Sequence, residues 1–242
     1  MHVQPYSRLM ALKSMGVVSN YERVRDFSVA IVGIGGVGVG VCEMLTRCGI
    51  GKVLIYDYDT IELANMNKMF YRPEQAGWNK TMAARHYCSE LCPDTIFEVH
   101  NMDITHDENR PKLKDTVAHG GVDRKSPVNL ILGCVDNLAA RQVMEAVSEE
   151  LQVPFMDAVV ADDAMSGHIQ LIIPGRTGGL EAAPIKQQMD KRPGVCAASL
   201  PTTDSILAGL MAQNVLKYLL GFGEVAFLLS YNAVTNDFPV SY

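Results

Sequence analysis

The chain has 242 residues, 48% of them apolar and 20% charged, and a mean hydropathy of +0.07, the composition of a folded globular protein rather than a disordered one. Its net charge of -6 at pH 7, without any Lys/Arg stripe, argues against a nucleic-acid partner held through phosphate neutralisation. No apolar run approaches the roughly 18 residues that span a bilayer, Met1 to Met10 lacks a signal-peptide core, and the six scattered cysteines form no CxxC pair, so a cytosolic protein with neither a disulfide framework nor a zinc ribbon is expected.

In chain order, Ser28 to Val32 (SVAIV) reads as a buried strand running into the glycine turn GIGGVG at Gly33 to Gly38, followed by a helix through Cys48. Lys52 to Tyr56 (KVLIY) supplies a second strand ending at Asp57, which outlines a right-handed βαβ unit and hence a parallel sheet. Further strands are expected at 96–100, 129–133, 154–159, 168–173 and 225–230. Helices are expected at about 80–91, 137–151 and 203–220. This alternation predicts an α/β fold: one Rossmann-like, doubly wound, mostly parallel sheet with helices on both faces, over the whole of 1–242. The stretch from Asp103 to Ser126 reads as a surface excursion, and the irregular stretch from Pro174 to Val195 as a loop crossing over a site.

Gly33, Gly35 and Gly38 satisfy GxGxxG, which lets backbone approach a phosphate at the positive end of the next helix. Asp57 is placed to accept hydrogen bonds from ribose hydroxyls. Taken alone, these two features describe an NAD enzyme equally well. The following DYDTIELANMNK segment adds Asn65, Asn67 and Lys68, and then Lys80, groups able to contact phosphate oxygens and neutralise a departing pyrophosphate; a solvated loop is the plainer alternative. Asp136 of CVDN (Cys134 to Asn137) stands at the end of another strand, where a carboxylate holds Mg²⁺ against phosphates or caps the next helix. Cys196 in GVCAASLPTT reads either as a buried structural thiol or as a nucleophile near a helix end.

In that order, GIGGVG, Asp57-Tyr58-Asp59, ANMNK, Lys80, CVDN and GVCAASLPTT make a combination that resembles the ubiquitin-like-protein activating enzymes. The segments PYSRLMALK (5–13), EMLTRCGIGK (43–52), FEVHN (97–101), SGHIQLIIPG (166–175), GVCAASLPTT (194–203) and QNVLKYLL (213–220) are similar to the branch of that family acting on ubiquitin-fold modifier 1, over nearly the whole chain. The resemblance implies one ATP-dependent adenylation domain with Cys196 as the thioester-forming nucleophile. It also implies that Asp57 holds the ribose, Lys80 the phosphates and Asp136 the Mg²⁺, with Asn65, Lys68 and Asn137 around the nucleotide and Gly35 and Gly36 letting it lie against the turn. Arg8 resembles an arginine that reaches the opposite subunit's nucleotide, which implies a homodimer. The implied partners are ubiquitin-fold modifier 1, or a similar protein, and a downstream conjugating enzyme; neither nucleic acid nor membrane is among them.

Three departures from the family pattern stand out. Lys68 replaces the arginine of NxNR and lacks its planar fork. Gly179-Leu180-Glu181-Ala182 stands where a CxxC is expected, so no structural Cys₄ zinc site is expected from these residues. The stretch from Pro184 to Gly194 is shorter than in relatives. The nearest functional rivals are a sulfur-carrier-protein adenylyltransferase, a non-catalytic modifier-binding subunit and an NAD oxidoreductase.

Overall fold

A computed structural model describes residues 6–182 and 198–242. The first strand, β1 (Ser28–Val32), is buried along its whole length, and alternate residues serve opposite faces of the sheet: Val29 and Ile31 enter one core, Ala30 and Val32 the other. A strand buried on both faces cannot alternate polar and apolar residues, which is why SVAIV is a continuous apolar run after its serine. The same logic holds for β2 (Lys52–Asp57), with Val53 and Ile55 on one face and Leu54 and Tyr56 on the other.

The remaining strands are β3 (Ile96–Asn101), β4 (Leu130–Gly133), β5 (Phe155–Val160), β6 (Ser166–Ile172), β7 (Leu228–Asn232) and β8 (Val240–Ser241). They form one eight-stranded sheet in the order β3-β2-β1-β4-β5-β6-β7-β8. Pairings from β3 to β5 are parallel, and those from β5 to β8 antiparallel. The chain builds outward from β1 in one direction, to β2 and β3, and then in the other, to β4 and β5. A crevice therefore opens past the carboxyl ends of β1 and β4, where Val32 pairs with Gly133.

Helices α2 (Gly36–Arg47), α3 (Lys80–Leu91) and α6 (Pro201–Leu220) contribute to the core on one face, and α4 (Arg110–Ala118) and α5 (Leu138–Leu151) to that on the other. Proline at the first position of α6 needs no hydrogen-bond partner there, and Gly221 ends that helix at φ 68°. Among the described residues no helix is long and apolar enough to cross a membrane.

The sequence reading needs correction at several elements. Helix α1 (Ser7–Ser14) was not expected, and the supposed surface excursion contains α4, whose only buried side chains, Leu113 and Val117, are four apart. That stripe is too narrow to announce a helix. Strand β7 begins three residues later than expected because Asn214 takes the backbone of Ala226, donating from Nδ2 to its carbonyl at 2.8 Å and accepting its N–H at 3.1 Å. The β8 edge strand was not foreseen.

Candidate active site

At the end of β1 the chain turns through Gly33 at φ +89°, a region that side chains other than glycine's rarely enter. A Cβ there would also stand 2.7 Å from the Cys134 carbonyl oxygen, so the turn lies directly against the end of β4. Gly38 packs as closely on the Gly33 carbonyl, which lets α2 begin immediately behind the turn. The Ile34 N–H donates to Asp57 Oδ2 at 2.7 Å, and Asp57 Oδ1 accepts from the Asp59 N–H at 2.8 Å. Burial pushes the Asp57 carboxyl above its ordinary pKa, while Lys80 and these two backbone donors oppose the rise. The acid is thereby fixed beside the glycine turn, with further lone pairs left to accept hydroxyl protons.

Both cations face this crevice. Lys80 opens α3 as a buried residue, and its Nζ meets Asp59 Oδ2 at 2.6 Å. Lys68 Nζ lies beside Gly35, 3.9 Å from where a Cβ would stand. The asparagines just before Lys68 shape the loop: Asn65 accepts the Glu62 N–H at 3.0 Å, and Asn67 donates to the Ser199 carbonyl at 3.1 Å.

Across the crevice, the cap of α5 is Asn137, which accepts the Ala140 N–H at 2.8 Å. The capping alternative for Asp136 therefore falls to its neighbour, and Asp136 stays exposed on the rim. Burial first, and then the charges of Asp59, Asp103, Asp136 and Asp57, push the Tyr58 hydroxyl above its ordinary pKa.

Beneath Asp136 lies a buried clamp that sequence reasoning missed. Arg141 Nη2 donates to the Val135 carbonyl at 2.9 Å, while its Nε stands 3.5 Å from Asp157 Oδ2, an ion pair without a hydrogen bond. Arg141 and Asp157 are 4% and 1% exposed, so the pair is cut off from water. The available signal was the single acid in the apolar strand FMDAVV. Also missed were Asp59, the partner of Lys80, and Asp204 in the first turn of α6, whose carboxylate is packed onto Gly36 at the start of α2.

Arg8 is exposed on α1. Tyr6, just before it, packs on Gly49 ahead of β2, at the end of the sheet opposite the glycine turn. The structure thus brings together Gly33, Gly35, Gly36, Gly38, Asp57, Lys68, Lys80, Asp136 and Asn137, but not Arg8. Cys196 lies outside the described residues, three positions before Ser199. Among the described residues no group of three or more His, Cys, Asp or Glu side chains is arranged to hold a metal ion by itself.

A model of the ThiF family matches residues 6–241. The chain is 53% identical over 97% of its length to "Ubiquitin-like modifier-activating enzyme 5" of Dictyostelium discoideum and 53% over 97% to that of Xenopus laevis. It spans 64% and 61% of the lengths of those two relatives. In structure it is similar to PaaA, with a TM-score of 0.79 and 20% identity over 99% of this chain and 72% of that one. It is also similar to E. coli MccB with ATP, with a TM-score of 0.74 and 17% identity over 91% of this chain and 65% of that one. At these identities the structural likenesses speak for the fold alone.

Proposed function

The chain belongs to the ThiF family, and from that premise we propose that residues 1–242 act as one adenylation domain that activates a ubiquitin-like protein, ubiquitin-fold modifier 1 or a close equivalent, at the expense of ATP. The observation that carries this reading is the convergence of the glycine turn, Asp57, Lys68, Lys80 and Asp136 at the sheet's switch point. Relatives named for modifier activation, at 53% identity, favour that chemistry over a dinucleotide oxidoreductase.

The residues suit the nucleotide. Gly35 and Gly36 leave the positive end of α2 free of side chains of its own, Asp57 is fixed to receive ribose hydroxyls, and Lys68 and Lys80 supply cationic charge. Lys80 already has an anionic partner in Asp59, so phosphate must share or replace it. Mg²⁺, with Asp136 among its holders, would neutralise polyphosphate charge.

In the first step a carboxylate oxygen at the modifier's C-terminus attacks the α-phosphorus of ATP. The bond to the β-phosphate oxygen breaks, leaving an acyl-adenylate and pyrophosphate. In the second, the thiolate of Cys196 attacks the acyl carbon, forming a thioester and releasing AMP. The protein's part in the first step is positioning and charge stabilisation. The thioester would then pass to a cysteine of a downstream conjugating enzyme, in the cytosol.

Incubating the purified chain with ATP, Mg²⁺ and candidate modifiers should add one modifier mass that a thiol reductant removes. Pyrophosphate exchange without such a conjugate would instead mark a sulfur-carrier adenylyltransferase, and neither signal would mark a non-catalytic subunit.

We further propose a homodimer in which Arg8 serves the partner's nucleotide, supported by its place far from its own glycine turn. Asp136→Ala and Arg8→Ala proteins, each inactive alone, should recover activity when mixed, up to about one quarter if subunits exchange at random and one intact site suffices. No recovery, or a fully active monomer, would end the idea.

A further inference from the structure

We infer that Asp204 is a built-in anion of the phosphate cradle, competing with nucleotide phosphates for the start of α2 and for Lys68 and so weakening polyphosphate binding. The inference rests on the adenylation reading and adds a residue that tunes its nucleotide affinity.

Helices α2 and α6 approach one another through small residues: Gly36 lies under Asp204, and a Cβ on Gly40 would stand 2.9 Å from the Ala208 Cβ. This brings the N-terminal ends of both helices to the same place, and each carries the partial positive charge that favours an anion. The anion already present is the Asp204 carboxylate, 6% exposed, with Oδ2 accepting from Ser199 Oγ at 3.0 Å. Burial pushes its carboxyl upward, against the pull of Ser199 and of Lys68, the cation acting on it. Lys68 also stands beside Gly35, so the carboxylate and an incoming phosphate address the same lysine and the same helix end. Nothing in the fold requires a charge there, because the hydroxyl of Ser199 could equally meet an amide oxygen.

The test is equilibrium binding of adenosine, AMP, ADP and ATP to the whole chain without modifier, in Mg²⁺ and in chelator, for wild type, Asp204→Asn and Asp204→Ser. The serine variant guards against an asparagine variant that fails to fold. ATP should bind the neutral variants about tenfold more tightly in both media, the scale of one relieved like-charge contact at a half-dry site. The gain should grow from AMP to ATP and vanish for adenosine. ATP affinity that is unchanged or weaker, a gain of equal size for adenosine, or a loss confined to Mg²⁺ would overturn the inference while leaving the adenylation reading standing. A wild-type chain that binds no adenine nucleotide would overturn both.

Discussion

Alanine at Asp136 is expected to abolish modifier-dependent pyrophosphate exchange and thioester formation together, whereas alanine at Cys196 is expected to abolish only the second. Asp136 is exposed just past the end of β4, on the rim of the crevice. Removing it takes away a charge that would hold Mg²⁺ against the phosphates, before any acyl group is activated. A loss of about 10² to 10³ in exchange rate is the usual scale for one electrostatic contributor to such a step. The thiol, by contrast, enters only once the acyl-adenylate exists, so Cys196→Ala should exchange pyrophosphate at close to the wild-type rate. Cys196→Ser should trap a conjugate that resists reductant. A thioester still formed by Cys196→Ala would place the nucleophile on another of the six cysteines.

Methionine at Arg141 is expected to cost about 3 to 5 kcal/mol of stability at pH 8 and much less at pH 5, because it strands the Asp157 carboxylate without its cation. Burial pushes that carboxyl up to about 6, with Arg141 opposing and Glu145 adding to the rise. The folded value lies above the unfolded one, so the folded state holds the proton more tightly. That contribution to stability is complete below about pH 4 and is lost as pH rises through about 6. Without Arg141 the carboxyl rises further and the window of loss moves upward. At pH 5 the variant keeps a neutral acid and loses mainly the hydrogen bond to the Val135 carbonyl, worth about 1 to 3 kcal/mol. Urea unfolding of Arg141→Met at both pH values, with Arg141→Met/Asp157→Asn as the rescue, decides the matter. Equal losses at pH 5 and 8 would show that the charge of Asp157 is not what Arg141 neutralises.

The parts of the molecule legible in the sequence are those whose cause is local. The strand Ser28–Val32 agrees at both ends with its reading because a strand buried on both faces leaves a continuous apolar run, and the glycines of the turn mark backbone that no side chain could occupy. The sequence also signals a cap at the start of α5, but places it on Asp136, one residue before Asn137, which provides it. What escaped depends on distant pairing. The partner of Lys80 is Asp59, 21 residues earlier, and that of Gly36 is Asp204, most of the chain later. Neither acid carries a local sign of its role. Helices α1 and α4 escaped for another reason: α1 buries no side chain fully and α4 only two, so tertiary docking rather than periodicity holds them.

The close seating of α2 on α6 also governs when the molecule can come into being. β1 must wait for β4 before its second edge is paired, and the helix behind the glycine turn must wait for a segment near the end of the chain. Contacts so far apart in sequence make folding slow, since a long loop must close before its ends gain anything. During synthesis, a nascent chain still lacking α6 presents the apolar face of α2 uncovered, a surface for chaperones rather than for ATP. The cradle is therefore among the last parts of the fold to be completed, and a truncated product ending before Pro201 should be handled by the cell as an unfolded chain, not as a weak enzyme.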